Sequence, residues 1–238
     1  MHNQNFLKKS LIRFAFGWNY QVWSYPLRLS KIISGRKFER VLEIGAGKHS
    51  MVSLIFDGLA EEIVISYYEE DELMDLENYL LLVRQNYKLK SKYIFKCMDA
   101  RTAVGNYDVV IMKSVLGGIF RVNTSNIHEI NLFITSLIKR CTKKGGMLIT
   151  IDNGKSFYEN FLQRFGARKN YWRFFSAGEI CSSDNQLKFG FLTSFSFETR
   201  FGKFGHFLDN FIFYYLDLFL FKLWPFNPTV IQSTFHNE

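Results

Sequence analysis

The sequence predicts an α/β domain built on a mostly parallel sheet flanked by helices. Three observations carry that prediction. From residue 40 onward, short apolar runs of strand character alternate with stretches of helical period. A glycine-rich turn closes the first of those runs. The length, 238 residues, suits one α/β domain with added segments and a sizeable core.

Taken in order, the first strand spans about 40–44 and ends in the turn Glu43-Ile44-Gly45-Ala46-Gly47-Lys48-His49-Ser50. Glycines at such a point permit a sharp turn, allow close approach to the main chain and leave N–H groups free at the start of the next helix. The spacing is not the dinucleotide fingerprint, because position 50 is Ser. The second strand is Ile63–Ser66, and a helix follows over 71–87 with Leu73, Leu76, Leu80 and Val83 on one face. The third strand is Tyr93–Cys97 and the fourth Val109–Met112, after the turn 105–108. A helix over about 126–141 carries Lys139, Arg140, Lys143 and Lys144 at its end and is expected to stop at Gly145-Gly146. Met147–Ile151 forms the fifth strand, and Phe189–Phe197 with Thr229–Phe235 the last pair.

The flanks differ from this middle. Residues 1–37 read as a basic and aromatic helical cap, broken near Pro26, ahead of a single domain over 38–238. Eight cations against Glu39 alone give residues 1–40 a charge of +7, out of +8 for the whole chain. Such a patch points to an anionic partner at that end, and the cap serves as a lid over a ligand, as a helix on an anionic membrane surface, or as both. Residues 207–224 read as an aromatic helix with a thin polar stripe of Asp209, Asn210 and Asp217. It lies in an interface, meets a second subunit in a homo-oligomer, or fills the core before the last strand. No run of 18 uncharged apolar residues and no signal peptide is evident, and Cys97, Cys141 and Cys181 form no metal or disulfide cluster. The expectation is a cytoplasmic protein, peripheral at the inner face of the membrane if the cap binds lipid, with no metal.

The ordered segments from Glu43 onward resemble the class I S-adenosylmethionine (SAM)-dependent methyltransferases. Glu43-x-Gly45-x-Gly47 resembles the family's first motif, Asp99-Ala100 its adenine contact, Tyr107 to Leu116 its fourth-strand segment, and Lys144 to Asp152 its passage into the fifth strand. The resemblance covers roughly 38–152. It implies a Rossmann-like seven-stranded sheet, SAM as cofactor, and a cofactor site of Glu43, Gly45, Ala46, Gly47, Glu69, Asp99, Ala100 and Lys113. Two positions depart from the pattern. His49 stands where the loop has a further glycine, and Ser66 stands where an acid takes the ribose hydroxyls, with Glu69 the substitute.

What is missing narrows the acceptor. Met112-Lys113-Ser114-Val115 lacks the Pro-Pro-aromatic clamp of base methyltransferases, no Pro-Cys pair is present, and the acidic metal ligands of catechol-type enzymes are absent. Nucleic acid is therefore not expected as a partner. Aromatics mixed with Arg164, Arg168 and Arg173 suit a sugar or a phosphate-bearing acceptor. The resulting expectation is methyl transfer to a hydroxyl of a sugar, a lipid-linked glycan or another small molecule, with His206 and His49 as catalytic candidates. N- or C-methylation of a small metabolite, or a catalytically silent binding protein on the same fold, are the alternatives.

Overall fold

The computed structural model describes residues 35–47, 51–86, 88–121, 126–155, 173–176, 178–180, 185–189 and 230–238, with single positions between 204 and 219. Seven strands form one sheet in the order β3-β2-β1-β4-β5-β7-β6. They are β1 (Phe38–Ile44), β2 (Ala60–Tyr67), β3 (Lys92–Cys97), β4 (Tyr107–Lys113), β5 (Thr142–Asn153), β6 (Asn185–Phe189) and β7 (Val230–His236). β1 to β5 pair in parallel, and β7 runs antiparallel to both of its neighbours. The chain begins in the middle of the sheet, winds outward to β3, and returns to the other side of β1 as β4. The crevice between the carboxyl ends of β1 and β4 is therefore the topological switch point, where an open α/β sheet binds its ligand.

Each strand of the centre is buried on both faces. Val41, Ile63, Ile65, Val109, Ile111, Ile149 and Ile151 look into one apolar layer, and Leu42, Val64, Val110, Met112 and Leu148 into the other. Helix α1 (Glu70–Asn86) covers the first layer through Leu76, Leu80 and Val83, on the stripe that the helical period predicts. Three acidic residues in its first turn and Arg84 in its last match the helix dipole. Helix α3 (Ile127–Cys141) covers the second layer with Ile130, Ile134 and Leu137, and Asn126 caps it by accepting from the Glu129 amide. Between β4 and α3 lies the short helix α2 (Val115–Ile119). Asp108 ties the sheet across its amino edge: its carboxylate accepts the amides of Glu39 and Arg40, each at 2.8 Å, and pairs with Lys143.

Two expectations need correction. Gly145-Gly146 does not end a helix: α3 stops at Cys141, and the glycines lie inside β5, where the β4–β5 register shifts. Gly145 adopts φ +75°, and a Cβ on Gly146 would stand 2.8–2.9 Å from the carbonyl oxygens of Lys143 and Tyr107. The pair makes a strand bend that only glycine fits. The sixth strand begins at Asn185, four residues before the expected Phe189, and residues 190–197 lie outside the described ones. So do the cap over 1–34 and almost all of 207–224, apart from positions such as Asp217, whose side chain is buried. No helix among the described residues is long and apolar enough to cross a membrane.

Asp152, near the end of β5, is fully buried, and neither carboxylate oxygen has a hydrogen bond of good geometry. Burial raises its pKa to about 7, while the Thr150 hydroxyl and the Gly117 and Leu116 amides offset only part of that desolvation. The sign follows from linkage. An acid whose pKa is higher folded than unfolded stabilises the protein at low pH and loses that contribution as pH rises toward the folded value. Between about pH 4 and 7 the loss amounts to on the order of 4 kcal/mol. Asp152→Asn should therefore match the parent near pH 4 and melt several degrees higher at pH 8. Thermal unfolding at the two pH values checks this; equal melting temperatures at pH 8 would contradict it.

Candidate functional site

The first motif is assembled around a buried carboxylate. Glu43, the last but one residue of β1, is fully buried, and its two oxygens accept the amides of Val52 (3.0 Å) and Ser53 (2.8 Å). Those amides open a 3-10 turn, Val52–Phe56, whose side chains are all buried. Burial pushes the Glu43 pKa up, the Ser53 and Val52 hydrogen bonds pull it back, and the charge of Lys113 pulls in the same direction. Glu43 thus occupies the anion position at the start of the following turn, and it lies beneath the loop. Its expected part as a cofactor ligand is corrected accordingly: the residues that line the cavity do not include it.

Ser66 has a comparable task. Its hydroxyl donates to the Glu43 carbonyl at 2.9 Å, and its own carbonyl accepts the amides of Gly45 (2.9 Å) and Ala46 (3.0 Å). Three hydrogen bonds lock the loop onto β2, so the Gly45 and Ala46 amides are not free for a ligand, contrary to the sequence expectation. Gly45 holds φ +68°, and a Cβ there would come within 2.6 Å of Val115 Cγ2. The glycine is needed for close packing against α2 as well as for the turn.

Above this floor opens a cavity of about 510 Å³, within the usual range for a small-molecule site. Its lining brings together the expected Gly45, Ala46, Gly47, Asp99, Ala100 and Lys113 from the ends of β1, β3 and β4. Sequence reasoning missed Tyr67 and Tyr68, which line it from the end of β2 with rings stacked at 5.0 Å and 27°. It also missed Ser114, Arg101 and Arg121. Glu69 stands just outside the lining and bonds the Tyr68 hydroxyl, which raises that phenol's pKa. Two adjacent tyrosines at the end of the second strand were the available signal. Asp99 accepts the Arg101 amide at 2.8 Å and faces its guanidinium at 4.0 Å. His49 and His206 lie outside the described residues.

The β4 side of the cavity carries its two unusual residues. Lys113 is held low, to about 8, by desolvation, with Glu43 acting against that shift. Ser114 adopts φ +57°, the only non-glycine positive φ among the described residues. Its amide donates to the Ile151 carbonyl at 2.7 Å, and Asn153 Nδ2 donates to its hydroxyl at 3.3 Å. Ser114 is thus a strained residue held from two sides in the cavity lining. Among the described residues, no group of acids, histidines and cysteines could hold a metal ion.

No protein-family model matches the chain, and no curated protein is similar to it. Solved structures are similar. Coclaurine N-methyltransferase, bound to N-methylheliamine and S-adenosylhomocysteine (SAH), aligns at 12% identity and TM-score 0.55 over 97% of this chain and 85% of its own. The YcgJ protein of Bacillus subtilis aligns at 13% identity and TM-score 0.54, over 90% and 99%. The N-methyltransferase NodS of Bradyrhizobium japonicum, in complex with SAH, aligns at 11% and 0.52, over 98% and 97%. Two further methyltransferase structures are matched over only 51% and 65% of their own length. At these identities the likeness establishes the fold, and the chain has the class I SAM-dependent methyltransferase fold.

Glu43→Ala would remove the acceptor of two buried amides and a carboxylate whose charge acts on Lys113. Removing one member of a buried charged network costs about 3–5 kcal/mol, and urea denaturation should show a loss of that size. A loss below about 1 kcal/mol would mean that the loop does not depend on Glu43.

Proposed function

We propose that the protein is a SAM-dependent methyltransferase that methylates a hydroxyl of a small anionic acceptor, such as an acidic sugar or a lipid-linked glycan. The observation that carries this reading is the cavity itself: it opens at the switch point and draws residues from the ends of β1, β2, β3 and β4. The residues fit the cofactor. Asp99 and Ala100, with the faces of Tyr67 and Tyr68, would hold the nucleoside; the Gly45–Gly47 backbone would lie under the donor end; Lys113 and Ser114 would border it. When bound, SAM supplies an electrophilic methyl group on a sulfonium. The protein is left to align the acceptor, exclude water and take up a proton.

The acceptor's charge is argued from the lining. Arg101 and Arg121 carry fixed positive charge in the lining against Asp99, a cationic balance that favours a carboxylate or phosphate beside the hydroxyl. The N-methyltransferases among the similar structures keep N-methylation as a second reading, and an acceptor screen that follows SAH release separates the two. The basic segment 1–40 supports a peripheral position at an anionic membrane. Co-flotation with anionic vesicles at low salt, lost at high salt, is the expected result, and a protein that stays at the bottom of the gradient at low salt refutes it.

Calorimetry with SAH tests the cofactor reading. The folded protein should bind SAH, and Asp99→Ala and Tyr67→Ala should each weaken binding by roughly tenfold, the worth of one polar contact or one stacked ring. A folded sample that binds neither SAM nor SAH would leave a silent protein on a methyltransferase fold.

A further inference from the structure

Lys113 is a desolvated lysine in the lining of the cavity. It ends β4 on the same side of the sheet as Glu43 and Ile111, one residue past the pairing of Met112 with Ile44, and so lies across the switch point from Gly45. Its neighbours in β5, Ile149 and Ile151, and Val52 and Phe56 of the 3-10 turn give this layer an apolar lining. Asp99, Tyr67 and Tyr68 mark the nucleoside half of the cavity at the ends of β2 and β3. The β1–β4 half is thus left for the sulfur and methionine half of the cofactor. With SAM bound in that orientation, a lysine at that corner would border an atom whose charge changes in the reaction, from sulfonium before transfer to neutral thioether after it.

Resting on the cofactor reading above, we propose that Lys113 exchanges its charge with the cofactor sulfur: a neutral amine accompanies the sulfonium, and an ammonium accompanies the thioether. The electrostatics are those of like charges in a low-dielectric cleft, where two cations cannot share the corner cheaply. The charge balance closes with a hydroxyl acceptor. Lys113 Nζ takes the hydroxyl proton, the oxygen's pair forms the bond to the methyl carbon, and the carbon–sulfur pair returns to sulfur. The positive charge lost from sulfur reappears on Lys113, where Glu43 receives it. The proton then leaves to solvent.

Among the described residues, the other charged and titratable groups around this cavity do not mimic the effect. Glu43 lies on β1 below the loop and is part of the device. Tyr67 and Tyr68 are shifted upward and keep their protons, Asp99 sits opposite Arg101, and Arg101 and Arg121 carry fixed charge.

Calorimetry of SAM and SAH binding tests the proposal without an acceptor. The α-amino group common to both ligands cancels in the ratio of their dissociation constants. For a lysine titrating near 8, that ratio (SAM over SAH) should fall at least tenfold from pH 6.5 to 9, as the fraction of neutral lysine rises. Repeating the titrations at pH 7 in buffers of different ionisation enthalpy should show close to one proton released per SAM and none of that release with SAH. Lys113→Arg, which keeps the charge but cannot lose it, should hold the ratio high at every pH. Lys113→Met should hold it low and flat; if that variant does not fold, the parent and the arginine variant decide. A parent ratio independent of pH, or an arginine variant that behaves as the parent does, overturns the charge exchange while leaving the cofactor reading intact. Binding of neither ligand overturns both.

Discussion

The site depends on one buried carboxylate. Glu43 is the end of a central strand, the anion at the start of the 3-10 turn, and the counter-charge to Lys113. A carboxylate withdrawn from water must be compensated by hydrogen bonds and charge, or it takes up a proton. Here the hydrogen bonds come from the 3-10 turn after the loop, and the charge comes from Lys113 at the end of β4. Placing Glu43 therefore places the loop above it and the strand beside it. Ser66 completes the arrangement from the other side, since its hydroxyl and carbonyl hold the Glu43 carbonyl and the two loop amides.

This arrangement changes how a glycine-rich turn is understood. Such turns are often taken to offer main-chain N–H groups to an anion. In this protein the amides of Gly45, Ala46, Val52 and Ser53 are all satisfied internally. The loop contributes shape instead: a tight floor, packed on Val115 so closely that Gly45 admits no Cβ.

Most of the fold was legible because its signals are local. The apolar runs of β1 to β5 and the 3.6-residue stripe of α1 depend on nearest neighbours in sequence, and they appear within a few residues of where the pattern put them. The failures depend on contacts between distant segments. Gly145-Gly146 follows a basic helix end, so it looks like a cap; its reason is the approach of the Tyr107 carbonyl from another strand. Ser66 looks like a lost ribose ligand until its partner, 23 residues away, is seen. Tyr67 and Tyr68 were visible as residues, yet their convergence with Asp99 and Lys113 is a product of sheet order. Glu43 was named for the right motif and the wrong task, since a motif records which residue is required and not which atoms it touches.

The distribution of charge follows the topology. In a doubly wound sheet the strands with the most covered faces are the central ones, and their carboxyl ends are where a ligand must bind. Any ionisable residue there is partly desolvated, so its charge becomes conditional on its neighbours. Glu43 and Lys113 are such a pair, on adjacent central strands and opposite in sign, and the one at the cavity is the one whose proton is easier to lose than in water. Asp152 is a third, on the next strand and the other face, raised toward neutrality by its desolvation. The difference between them separates two uses of buried charge. Glu43 and Lys113 each moderate the other's desolvation shift, whereas the shift of Asp152 adds a pH-dependent cost to the fold.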